Sequence, residues 1–316
     1  MSRHVVVGKG AIGTTLAEQL AAAGHDVLLV SRTAPASALP TGVQHQLADV
    51  SAPGTLTTLA RGADALYNCV NPPYHRWATD WPPLHRAFLE AAEDSGAVLV
   101  ITSNLYGHGP GSGVMTEATP LRSTETKGAV RAEMWRSALE LHEAGRLRAV
   151  EVRASDYFGP RAGGAAHYGA RLLGPLLAGR TLRPVGNPEV PHSVAYVPDI
   201  ARTLATVALD RETWGKVWLA PHQPAETYRD VASRFARAAG VPIAGISPVP
   251  AAALRLGALL SPMLREVRAV SYQFTEPFEV DSSRSERTLG LAPTGWDEAV
   301  AATLAWWRAE HGTAAA

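Results

Sequence analysis

The chain opens in the order strand, glycine turn, helix, strand, and nothing further along constrains its fold as strongly. Val5, Val6 and Val7 make a short run of β-branched residues, and Gly8, Gly10 and Gly13 follow at G-x-G-x-x-G spacing. Thr14 to Ala23 read as a helix and Gly24 stops it. Val27 to Val30 then make a second apolar run that ends in Ser31 and Arg32. A lone G-x-G-x-x-G is a weak signal; between two strands, and opening a helix, it predicts a βαβ unit that holds a dinucleotide. Gly8 lets the chain reverse sharply. Gly10, with no Cβ, lets a pyrophosphate approach the backbone, and Gly13 lets the helix pack close to the strand. The free N–H groups of the helix start, at Ala11 and Ile12, then face the phosphates. Lys9 adds charge nearby or is simply a solvated turn lysine.

The end of the second strand selects the dinucleotide. An NAD site places a carboxylate there to accept from the ribose 2′-hydroxyl. Here the residues are Ser31 and Arg32. A guanidinium pairs bidentately with a 2′-phosphate that a carboxylate would repel, so NADP(H) is expected ahead of NAD.

Composition narrows the class. At 316 residues, 46% apolar and 18% charged, the chain is long enough for a sizeable core and is globular rather than disordered. Lys+Arg and Asp+Glu are both 29, which argues against nucleic acid or an anionic membrane as partner. No apolar run reaches membrane-spanning length. The first strand leaves no room for a signal peptide, so the protein is expected to be cytoplasmic. Cys69 is the single cysteine, which excludes an intrachain disulfide and a cysteine-rich metal site. The histidines show no His-x-x-x-His spacing or paired carboxylates, so no metal is expected.

Strand-like runs at 43–47, 65–70, 97–101 and 147–152 alternate with helical stretches at 53–61, from about Pro83 to 95, and at 121–144. That alternation predicts an α/β fold, a doubly wound parallel sheet of the Rossmann kind. Residues 1–160 would form the dinucleotide-binding domain. Residues 161–316 would form a smaller, mostly helical substrate portion with some returns to the main sheet, near 194–197 and 216–220. An amphipathic helix closes the chain, with Trp296, Val300, Leu304 and Trp307 near one face.

Motifs along the chain resemble those of the extended short-chain dehydrogenase/reductases, the NAD-dependent epimerase/dehydratase superfamily. Asp49 and Val50 match the position beside the adenine ring. Asn68 to Tyr74, including Val70 and Asn71, match the strand end that runs beside the cofactor. Thr102-Ser103-Asn104-Leu105-Tyr106-Gly107, Arg153 through Tyr157-Phe158-Gly159-Pro160, and His192 through Ala201 are similar to further family segments. The resemblance implies hydride exchange through a nicotinamide, a small-molecule substrate and a homodimer built on paired helices.

Two departures stand out. The family's turn has glycines at the positions of Val7, Gly10 and Gly13, and the first is valine here. Its catalytic Tyr-x-x-x-Lys becomes Ser123-Thr124-Glu125-Thr126-Lys127, which keeps the lysine and loses the tyrosine. In the family the lysine binds the nicotinamide ribose and lowers the tyrosine pKa. Lys127 is expected to keep the ribose role, and Ser123 to cap the helix. Thr102 or Ser103 would polarise a carbonyl or imine; Tyr106, Tyr157 or water would supply the proton. The expected reaction is NADP(H)-dependent oxidoreduction of a small carbonyl or imine compound. The alternatives are redox-neutral epimerisation or dehydration with a tightly held cofactor, and a non-catalytic NADP sensor.

Overall fold

Parallel pairing organises the chain. The computed structural model describes residues 1–35, 38–164 and 166–312. Its strands are β1 (Arg3–Val7), β2 (Asp26–Ser31), β3 (Val43–Leu47), β4 (Ala65–Asn68), β5 (Val98–Ser103), β6 (Arg148–Arg153), β7 (Tyr157–Phe158), β8 (Ala195–Tyr196) and β9 (Val217–Leu219). Seven of them form one sheet in the order β3-β2-β1-β4-β5-β6-β9, with every neighbouring pair parallel. This is the Rossmann-like sheet that the strand–helix alternation predicts. Strand order reverses between β1 and β4, so a ligand crevice belongs beyond their carboxyl ends. Val5, Val6, Leu66, Val100 and Ile101 are completely buried, as strands covered on both faces require. Edge strand β3 instead carries Gln44, His45 and Gln46 and is largely exposed, a polar edge that discourages further pairing.

The helices are α1 (Ala11–Ala22), α2 (Thr55–Ala60), α3 (Trp77–Ser95), α4 (Thr126–Glu143), α5 (Ala170–Leu177), α6 (Val197–Leu209), α7 (Tyr228–Ala239), α8 (Ala251–Leu260), α9 (Pro262–Ala269), α10 (Ser283–Leu289) and α11 (Trp296–His311). Two of them depart from the sequence expectation at their starts. α3 begins at Trp77 and carries Pro82 and Pro83 inside it. Each internal proline forfeits a backbone hydrogen bond. The burial of Trp77, Trp81, Leu84 and Phe88 at helical spacing outweighs that loss. α4 begins at Thr126 rather than Leu121, because the Glu125 carboxylate accepts from the Lys127 and Gly128 N–H groups and fixes the first turn there.

The chain divides into two compact units, residues 1–107, 121–153 and 200–220, and residues 108–120, 154–199 and 221–316. A single boundary at 160 is therefore replaced by several crossings, and β9 belongs with the first unit. The first unit holds the seven-stranded sheet. The second pairs β7 with β8 and builds its core from Phe158, Leu172, Leu176, Val231, Phe235, Val300 and Leu304. Among the described residues no helix is long and apolar enough to cross a membrane.

Candidate active site

The β1–α1 turn is shaped by sterics that only glycine meets. Gly8 has φ +114°, and a Cβ there would run into the Cys69 carbonyl; a Cβ on Gly13 would run into the Gly8 carbonyl. The Cβ position of Gly10 meets nothing within 4 Å. Gly10 is also the N-cap of α1, with no side-chain cap and no acidic residue in the first turn. Unsatisfied N–H groups beside open space could hold the phosphates of a dinucleotide.

That turn opens on a cleft of about 780 Å³ in the first unit. Of the residues expected to bind cofactor, Gly8, Lys9, Gly10, Ser31, Arg32, Asp49, Val50, Val70 and Asn71 line it. Ala11 and Ile12 open α1, Gly13 packs beneath the turn, and Lys127 lies outside the lining. Arg32 is exposed. The Asp49 carboxylate accepts from the Ser51 hydroxyl at 2.6 Å and its N–H at 3.0 Å. Those bonds, with a smaller contribution from Arg32, hold it below the usual carboxylate range. The Ser31 hydroxyl bonds the His45 ring and donates to the Thr33 carbonyl, both at 2.8 Å. The Lys9 ammonium donates to the Ala34 carbonyl, so part of its charge is spent on the turn.

The sequence reading missed one wall of the cleft. Arg76, Thr79, Asp80, Pro83 and Leu84 line it because α3 starts at Trp77. The signal was present as the Trp77, Trp81, Leu84, Phe88 spacing, and the Pro82-Pro83 pair masked it.

Strand β5 runs through Ser103, so Thr102 and Ser103 point to opposite faces. The Thr102 hydroxyl is 3.4 Å from the Cys69 sulfur, and its carbonyl accepts from Arg131 at 3.2 Å. Burial pushes the Cys69 thiol up to about 12, which leaves it unreactive. Ser103 is buried, and its hydroxyl makes no hydrogen bond among the described residues.

At the start of α4 the arrangement departs from Tyr-x-x-x-Lys in more than residue identity. Ser123 precedes the helix. Its N–H donates to the Gly107 carbonyl, and its buried hydroxyl, pressed against Gly128, has no partner among the described residues. The cap is Glu125, not Ser123. Lys127 is fully buried, and its ammonium donates to Glu125 Oε1 at 2.7 Å. One turn on, the Arg131 guanidinium stacks between Trp77 and Trp81, 4.7 and 4.5 Å from the ring centres. Burial pushes its pKa down to about 10. Tyr106 is buried, and its hydroxyl lies 2.7 Å from that of Tyr74.

In the second unit Tyr157 is half-buried on β7, in register with Ala195. Beside it, Asp156 Oδ2 lies 3.1 Å from His192 Nε2. Among the described residues no group of three His, Cys, Asp or Glu side chains could hold a metal ion.

A parallel sheet with a glycine-turn cleft at its switch point defines a protein of the Rossmann fold. The family model of the NAD dependent epimerase/dehydratase family matches residues 5–218, and the chain belongs to that family. A search of curated protein sequences finds no match. Among solved structures, MoeE5 in complex with UDP-glucose and NAD is 21% identical, with a TM-score of 0.78 over 98% of this chain and 99% of its own. A double mutant of the dTDP-glucose 4,6-dehydratase DesIV from Streptomyces venezuelae, with NAD bound, is 19% identical with a TM-score of 0.79, covering 99% and 98%. UDP-glucuronic acid 4-epimerase from Bacillus cereus, in complex with NAD, is 16% identical with a TM-score of 0.79, covering 99% of both chains. At these identities the likeness is one of fold.

Proposed function

We propose that the chain is an NADP(H)-dependent enzyme acting at a carbonyl or imine carbon of a small molecule. The observation that carries this reading is the cleft itself: an open, uncapped glycine turn with an exposed guanidinium, and no carboxylate, at the end of β2. The α1 N–H groups and Gly10 would hold the pyrophosphate, Arg32 the 2′-phosphate, and Asp49 and Val50 the adenine side. Val70 and Asn71 would run beside the dinucleotide. When bound, the nicotinamide supplies reversible hydride exchange. Lys127 would orient the ribose from its buried position. Ser103, with its uncommitted hydroxyl, is the better placed of the two strand-end residues to polarise the substrate oxygen; Thr102 already meets Cys69. Tyr106, Tyr157 or water are the candidates that the sequence offers for the proton transfer.

A second reading has its own support. The epimerases and dehydratases of the same fold, crystallised with NAD, favour redox-neutral chemistry in which the dinucleotide is regenerated within each turnover. UDP-glucose in the MoeE5 complex supports a small-molecule substrate for either reading. The two are separated by incubating the protein with NADPH and a panel of carbonyl, imine and nucleotide-sugar compounds. Stoichiometric NADPH consumption is expected; a changed product without consumption would replace the first reading with the second.

A further inference from the structure

We propose that Tyr74 is the acid–base residue of this site, standing in for the phenol that Ser123 cannot supply. The proposal rests on the hydride-exchange reading above. Tyr74 follows Pro72-Pro73 and opens a short 3-10 turn, Tyr74–Arg76, just beyond β4. Its hydroxyl shares a 2.7 Å hydrogen bond with that of Tyr106. The Lys127 ammonium lies 6.0 Å from the centre of its ring. Arg131, one turn along α4, interacts electrostatically with both phenols. The two buried cations of α4 therefore act on a pair of tyrosines that the Tyr-x-x-x-Lys spacing does not contain.

Position within the pair decides the roles. Tyr106 is 7% exposed, whereas Tyr74 is half-buried and reaches the surface of its unit. Tyr74 stands between Pro72 and Arg76, which line the cleft, so a substrate entering there would meet Tyr74, with Tyr106 as the positioning residue behind it. The Tyr74 ring is fixed edge-on against Trp77 at 5.2 Å and against Tyr106 at 6.4 Å. The Ser123 hydroxyl, buried against Gly128, is shut away from any substrate.

In the reducing direction the Tyr74 Oη–H bond breaks, the proton bonds the substrate oxygen, and the electron pair stays on Tyr74. A bound nicotinamide would supply the hydride that the substrate carbon takes up, and water would later return a proton to Tyr74. In the oxidising direction the phenolate takes that proton back. A hydrogen bond from Tyr106, the Lys127 ammonium (itself paired with Glu125) and the Arg131 guanidinium (which Glu151 also faces) would stabilise the phenolate.

The test compares wild type with Tyr74→Phe, Tyr106→Phe and Ser123→Ala in three readouts: phenolate absorbance of the protein without cofactor against pH, NADP⁺ affinity by calorimetry, and turnover. Wild type should show one phenol ionising ahead of the rest. Tyr74→Phe should lose that step, keep its NADP⁺ affinity, and lose about 10²–10⁴-fold in kcat. Tyr106→Phe should keep the step at a higher pH, shift the pH–rate profile, and lose less than about tenfold in kcat. Ser123→Ala should match wild type in all three. No early phenol in wild type overturns the proposal, as does a Tyr74→Phe enzyme within about threefold of wild-type kcat. If wild type binds NADP⁺ but turns over nothing, hydride exchange itself fails, and the absorbance titration alone decides Tyr74.

Discussion

Two regions of the first unit carry the proposed function, and they are built on different physics. At the β1–α1 turn the backbone does the work. Gly8 and Gly13 are required because a Cβ would strike a carbonyl, and Gly10 is bare where a phosphate would sit. Between β5 and α4 side chains do it: Glu125 sets the helix start, and Lys127 and Arg131 bring buried charge to a tyrosine pair drawn from two separate loops. The first region is a local steric solution that admits one residue type. The second is a constellation whose members can move to other segments if charge and hydroxyl still meet.

The largest effect is expected at the turn. Gly13→Ala forces a Cβ into the Gly8 carbonyl and should cost about 4 kcal/mol in urea unfolding. Gly10→Ala, with open space around it, should stay within about 1 kcal/mol of wild type yet weaken NADP⁺ binding about tenfold or more. Equal stability of the two variants would break the claim that the turn is a steric device.

The α4 start should respond next. Glu125→Ala removes the cap and leaves the fully buried Lys127 ammonium without its carboxylate, at a cost of about 3 kcal/mol. Glu125→Gln keeps a capping oxygen and should recover about 1 kcal/mol of that loss. Indistinguishable unfolding of the Ala and Gln variants would show that the cap contributes nothing to where α4 begins.

The same contrast explains what the sequence revealed. The glycine turn, the strands up to β6 and the cleft residue Arg32 follow from short-range rules, because sterics and apolar runs act within a few residues, whereas Asp49, Val70 and Asn71 come from the family resemblance. The start of α3 was hidden because Pro82 and Pro83 oppose a helix that tertiary burial of Trp77 and Trp81 enforces. The start of α4 was hidden because Glu125 caps a helix that the composition of 121–125 would extend. Tyr74 was overlooked as a chemical group because its partners, Tyr106 and Lys127, come together only when β4, β5 and α4 are assembled.

The central claim is that the glycine-turn cleft holds a phosphorylated nicotinamide dinucleotide through Arg32. Its most direct test is calorimetric titration of wild type and Arg32→Ala with NADP⁺ and with NAD⁺. Wild type should bind NADP⁺ at least about tenfold tighter than NAD⁺, a difference of about 1.4 kcal/mol. Arg32→Ala should erase that preference while leaving NAD⁺ affinity within about threefold. Failure of wild type to bind either dinucleotide, or equal affinity for the two, would contradict it.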